Sequence, residues 1–123
     1  MTEEGTAGTL DFSALRKAIE RRDPDALLCF YAEDAGIRIE HASLSDGMAF
    51  ELKERAHIKR YLRAVCDQQM TCAVVGEPFF GEGRVEFLEV CGYPDGASIS
   101  VETTLELEGG RISHQLDVVE HSA

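Results

Sequence analysis

The 123-residue sequence predicts an α+β fold, with helices gathered on one face of a mostly antiparallel sheet. Three observations lead there. Capped amphipathic helical segments fill the first quarter of the chain, and another follows the first strand. From Met70 onward the period changes from helical to alternating, with Gly-rich turns between runs. Within that half, Ser98 to Glu108 alternates without a fault. Ile99, Val101, Thr103, Leu105 and Leu107 face one way, and Ser100, Glu102, Thr104, Glu106 and Glu108 the other.

Each element has a local cause. Asp11 or Ser13 can cap a first helix whose apolar positions Phe12, Leu15, Ala18 and Ile19 recur at helical spacing. Arg21 and Arg22 suit its carbonyl end. Asp23 then caps a second helix with Pro24 at its first position, where a missing N–H costs nothing. Leu27, Leu28, Phe30 and Tyr31 give that helix its buried side, and Gly36 is expected to end it. Ile37 to His41 alternates as a strand, Ala42 to Gly47 reads as a polar loop, and Met48 to Leu52 as a short second strand. A third helix carries Ala56, Ile58, Tyr61, Leu62 and Val65 as its apolar stripe. Strands are expected at Met70–Val75, Arg84–Cys91, Ser98–Glu108 and Arg111–Glu120, the last two joined by the Gly109-Gly110 hairpin turn.

Composition narrows the function. A formal charge of −11 argues against nucleic acid, because phosphate binding needs a basic patch and the 12 Lys and Arg residues are scattered. The same charge disfavours an anionic membrane, and no apolar run is long enough for a bilayer span. Residues 1–9 are small and acidic, unlike a signal peptide, and are expected to form a flexible tail ahead of a single domain over 10–123. Cys29, Cys66, Cys72 and Cys91 form no C-x-x-C pair. They read as small core residues of a cytoplasmic protein rather than a disulfide framework or a zinc site.

The run Asp23-Pro24-Asp25, then Tyr31-Ala32-Glu33-Asp34-Ala35, then a strand, is similar to the SnoaL-like branch of the nuclear-transport-factor-2-like superfamily. The helix before Met70, and Gly110-Arg111-Ile112 opening a last strand with a central Asp, extend the resemblance from about Asp11 to Val119. It implies a cystatin-like cone, three N-terminal helices packed on a curved sheet around a mostly apolar cavity. It also implies a homodimer formed through the outer sheet face. Superfamily members isomerise, hydrate, cyclise or only bind, so the resemblance names no reaction.

Within that frame Asp117 is the first candidate, an acid inside the apolar strand Ile112-Ser113-His114-Gln115-Leu116-Asp117-Val118-Val119. In limonene-epoxide-hydrolase-like and polyketide-cyclase-like members an acid near this position does acid/base work. Burial would suit it to proton transfer near neutrality. Strict alternation places Asp117 with Ser113, Gln115 and Val119, opposite Ile112, His114, Leu116 and Val118, and the competing expectation is that Asp117 is solvated. Arg84 and Glu86 share one strand face, and the epoxide-hydrolase-like pattern has an Arg-x-acid here. An arginine between Glu86 and Asp117 would split two carboxyl pKa values into donor and base. The favoured alternative is an exposed ion pair worth about 0–1 kcal/mol.

Arg38-Ile39-Glu40-His41 lacks the Tyr and Asn that hold water in that family, so epoxide hydrolysis fits poorly. The ketosteroid-isomerase machinery fits worse, with Leu15 and Ser100 at the oxyanion positions and only Glu40 available as a base. Glu40, His114 and Tyr31 are the polar groups expected to line the pocket. No histidine pair has ligand spacing, and no metal or cofactor is expected. Two functional classes follow. One is a binder of a small apolar organic molecule that, as an enzyme, would run cofactor-free cyclisation, isomerisation or hydration. The other is a non-catalytic ligand-binding or dimerisation module.

Overall fold

A computed structural model of the chain describes residues 10–42 and 49–122, leaving the expected tail and most of the expected polar loop outside the described residues. The elements run α1 (Phe12–Arg21), α2 (Pro24–Leu28), β1 (Tyr31–His41), β2 (Ala49–Lys53), α3 (Arg55–Cys66), β3 (Thr71–Gly81), β4 (Arg84–Gly92), β5 (Ser98–Glu108) and β6 (Arg111–Ser122). The strands form one curved six-stranded sheet in the order β2-β1-β6-β5-β4-β3. Every neighbouring pair is antiparallel except β1 and β6. The fold class is α+β; two helices precede the sheet, and the third follows β2 in the chain.

Asp11 caps α1, its carboxylate accepting the Ala14 N–H at 3.1 Å, and Asp23 caps α2 through Ala26 N–H at 3.2 Å. The first helix ends on Arg22 in the left-handed region at φ 56°, its N–H reaching the carbonyls of Ala18 and Ile19. Glycine is the usual residue there. Arg22 serves instead because its guanidinium ties α1 to the end of α3, donating to the carbonyls of Val65 and Gln68.

The second helix is shorter than expected. It stops at Leu28, and Tyr31-Ala32-Glu33-Asp34-Ala35 belongs to β1. Two hydrogen bonds hold that segment extended: the Ile112 N–H to the Phe30 carbonyl at 2.8 Å, and the Arg55 guanidinium to the Tyr31 carbonyl at 2.9 Å. Tyr31 and Ala35, both buried, keep a spacing of four that mimics a helix. An even spacing also puts both on one face of a strand, so β1 buries them together with Ile37 and Ile39, and its register against β6 shifts between Tyr31 and Gly36. Likewise β3 runs past Val75 to Gly81, with a shift against β4 at Gly76 (φ 72°) instead of a break.

The inner face of the sheet and the apolar sides of the helices share one core around Leu15, Ile37, Ile58, Leu62, Val85, Leu105 and Ile112. The cysteines depart from expectation. Cys29 is exposed, and Cys72 and Cys91, directly opposed on β3 and β4, are joined as a disulfide. Antiparallel register put two distant cysteines side by side, which sequence spacing could not reveal.

Candidate functional site

Between the sheet's inner face and α1 and α3 lies a cavity of about 520 Å³ with a predominantly apolar lining. That size and lining suit a small organic molecule. Three cross-strand rows supply part of its polar lining. The first runs Ile39, Asp117, Thr103, Phe87 across β1, β6, β5 and β4. The next runs His41, Val119, Val101, Glu89, and the third His121, Ile99, Cys91, Cys72.

Asp117 stands in the first of these rows and is only 8% exposed. Its Oδ1 accepts the Thr103 hydroxyl at 2.9 Å, and the Gln115 amide N–H group reaches both carboxylate oxygens at 3.0 Å. Gln115 is fixed in turn by Tyr31, whose phenol donates to Oε1 at 2.5 Å. The carboxylate is therefore aimed by a chain of neutral donors, with no cation among its bonded partners. Burial pushes its pKa up to about 6, against the opposing pull of the Thr103 and Gln115 hydrogen bonds.

A β-bulge makes this possible. Glu106 pairs with His114 and Leu107 with Ile112, which leaves Ser113 as an extra residue; its hydroxyl donates to the Glu106 carbonyl at 3.0 Å. Ile112 therefore points into the core while Gln115, Asp117 and Val119 also point inward. Strict alternation had set Ile112 and Asp117 on opposite faces.

Glu89, which the sequence reading passed over, is the second carboxylate lining the cavity. Burial pushes it up to about 7, reinforced by the charge of Asp117 and offset by Arg22. Tyr61, from α3, lines the same space, and its phenol is raised by burial and then by the charges of Asp117 and Glu89. Tyr31 is raised well above its ordinary value by burial first and then by the charge of Asp117, against the pull of its Gln115 hydrogen bond. The signal for Glu89 was present in the strand itself: Val85, Phe87, Glu89 and Cys91 share one face, and three of them are core residues. Thr103 was visible on the apolar face of its strand, and Gln115 on the face of Asp117.

The expected trio does not assemble. Arg84 and Glu86 point to the opposite side of the sheet, where they pair at 2.9 Å with side chains 54% and 42% exposed. Their strand phase is set by Val85 and Phe87 entering the core. Glu40 also lies on that outer side, bonded to Arg38 at 2.7 Å, and His114 sits there over Gly36. Of the expected pocket residues, Tyr31 alone lines the cavity, joined by His41 and His121, which stack with ring centroids 5.6 Å apart. Among the described residues, Cys72, Glu89 and Cys91 bring metal-type donor atoms within 4.8 Å of one another, but the two sulfurs are bonded to each other.

No protein-family model matches the sequence, and a search of curated protein sequences finds no match. Solved structures do match. An NTF2-like protein of unknown function from Mesorhizobium loti shares 19% identity at a TM-score of 0.72, covering 88% of this chain and 86% of that one. An LEH-like epoxide hydrolase from M. tuberculosis shares 16% at a TM-score of 0.63, with 88% and 78% covered. A protein with a ketosteroid-isomerase-like fold from Catenulispora acidiphila, in complex with trimethylamine, shares 17% at a TM-score of 0.67, with 89% and 85% covered. The chain thus has the NTF2-like, ketosteroid-isomerase-like fold that its sequence resembles.

Proposed function

We propose that this protein is a cofactor-free acid/base enzyme acting on a small, largely apolar organic substrate, with Asp117 as the proton acceptor. The observation that carries the reading is a buried carboxylate held at three hydrogen bonds in the floor of a cavity of about 520 Å³. A carboxyl that titrates at about 6 is charged at neutral pH and more basic than an exposed one. The step is removal of a proton from a carbon beside a carbonyl, the C–H electron pair moving to the carbonyl oxygen. The Tyr61 phenol donates a hydrogen bond to that oxygen, and the proton held on Asp117 returns to a second carbon. Isomerisation and cyclisation both need this step.

Thr103, Gln115 and Tyr31 position the base. With Arg84 and Glu86 on the outer face, the charge-splitting trio of an epoxide-hydrolase-like site has no support, and hydration is not favoured. We also propose a homodimer joined through the outer sheet face, where Val75 and Val90 are exposed; light scattering on the purified protein reads the assembly. The Cys72–Cys91 disulfide removes the cysteine argument for a cytoplasmic location.

The test is proton exchange. A panel of small ketones, enones and lactones is incubated with protein in D2O and followed by NMR. Deuterium incorporation beside a carbonyl by the wild type, reduced at least about 100-fold in Asp117→Asn, supports the assignment. Equal incorporation by both proteins above the protein-free rate removes Asp117 from the step, and none above that rate across the panel leaves a non-catalytic binding module.

A further inference from the structure

Proton transfer by Asp117 leaves the other cavity carboxylate without a role. Among the described residues, the one hydrogen-bond partner of Glu89 is the Cys91 sulfur at 3.4 Å, and that contact needs a thiol proton. Once Cys91 is bonded to Cys72 the proton is gone, and Glu89 faces the cavity with no donor. Glu89 is half-buried at the cavity wall, and a carboxylate partly removed from water with no protein donor gains from a ligand that compensates it.

The groups facing it compensate it only in part. From the end of α1 comes Arg22, the one Lys or Arg in the cavity lining, but its guanidinium donates to the Val65 and Gln68 carbonyls and to Cys72 Sγ at 3.2 Å. No ion pair joins it to Glu89 among the described residues. From α3 come Tyr61 and Cys66, and from β6 Asp117, which adds a second negative charge. Among the described residues the lining therefore holds two carboxylates, one tethered guanidinium and the stacked His41 and His121, within a surface rich in hydrocarbon and aromatic rings.

We infer that the ligand of this cavity is an organic ammonium ion: a small amine whose charged nitrogen rests against Glu89 while its hydrocarbon portion fills the apolar remainder. The inference rests on the cavity's being the functional site, as proposed above, and names the class of molecule it takes. The aromatic lining agrees, since π faces attract alkylammonium groups that shed their water cheaply. The formal charge of −11 raises the local concentration of any cation and speeds its encounter. A metal ion is a poorer match, because sulfurs bonded to each other are not thiolate ligands. Only the Glu89 carboxylate of that trio is left to hold one.

The test compares two molecules of one shape, (2-hydroxyethyl)trimethylammonium and its neutral carbon isostere 3,3-dimethylbutan-1-ol, titrated into the intact oxidised protein at pH 8 by NMR. The cation is expected to bind at least about tenfold tighter. In Glu89→Gln that preference falls to within about twofold while binding of the alcohol is unchanged. Equal affinities, no binding of the cation, or a preference that survives Glu89→Gln each overturn the inference. So does zinc chloride binding that is tighter than the ammonium and lost in Glu89→Gln. Loss of the Asp117-dependent deuterium exchange with the ammonium preference intact would count against the proton-transfer reading alone, and the reverse pattern against the ammonium class alone.

Discussion

Replacing Asp117 by Asn should stabilise the protein at neutral pH and leave it unchanged in acid. In the fold the carboxyl titrates at about 6 in place of 3.8, chiefly because burial disfavours its charge, which corresponds to about 3 kcal/mol. The sign follows from which state binds the proton more tightly. The folded protein does, so ionising Asp117 weakens folding. The cost is absent below about pH 4, grows between pH 4 and 6, and is complete above that window. Asn carries no charge to desolvate and still offers an oxygen to the Thr103 hydroxyl. Its amide meets the Gln115 N–H group, so Gln115 must turn; the Tyr31 phenol can accept as well as donate and permits that. Allowing for this rearrangement, a gain of roughly 1–3 kcal/mol at pH 7.5 is expected, a shift of about 1 M in urea midpoint. Paired urea titrations of the two proteins at pH 7.5, 5 and 3.5 read it. The difference between the curves isolates Asp117, since every other carboxyl is common to both. A variant less stable than wild type by the same margin at all three values would show that Asp117 acts through its hydrogen bonds alone, and would refute the burial argument.

Three further outcomes follow from the same geometry. Tyr31→Phe removes the donor to Gln115 and leaves a half-buried amide oxygen unpaired, costing about 1–3 kcal/mol in urea unfolding and loosening the Gln115 side-chain amide signals in NMR. Arg84→Ala and Glu86→Gln, separately or together, should stay within about 1 kcal/mol of wild type and leave ligand titrations untouched, because that pair is exposed and away from the cavity. Deleting Ser113 should cost more than about 2 kcal/mol, because restoring regular pairing drives either fully buried Ile112 or the Asp117 row to the outer face. Ser113→Gly keeps the residue count, and thermal melts should place it near wild type. Equal melts for the two variants would show the bulge to be dispensable.

How far the sequence could be read depended on whether a signal was local. The Asp11 and Asp23 caps, the clean alternation of Ser98–Glu108 and the final hairpin need only neighbouring residues, and they appear where expected. The end of α2 is set instead by the pairing of Tyr31 with Ile112, 81 positions away, and a helix-like spacing disguised it. The Cys72–Cys91 contact has the same origin. On β4 the alternation was legible and its phase was not. Arg84 and Glu86 drew attention as an acid–base pair, whereas Val85 and Phe87 decide which face is buried and carry Glu89 in with them. Charge proximity along a strand says nothing about which side of the sheet it occupies.

Asp117 illustrates why a site residue can be recognisable in sequence and still unplaceable. Its strand has two apolar sets, Ile112 with Leu116 and Val118 on one phase and Val119 on the other, and a regular strand must choose between them. The folded chain uses both by spending one residue, Ser113, outside the ladder. Up to the bulge the strand completes the core with Ile112. Beyond it, the strand gives the cavity Gln115, Asp117 and Val119, while Leu116 and Val118 turn to the outer face. The bulge thus converts a strand whose pattern argues for a solvated acid into one that buries it. A carboxylate in that position is costly to the fold, since its charge is disfavoured by burial. The Thr103, Gln115 and Tyr31 chain reduces that cost without supplying a countercharge. A core chosen for stability alone would place Asn or Leu there. Keeping the acid there, aimed and without a countercharge among the described residues, is what the proposed proton transfer requires.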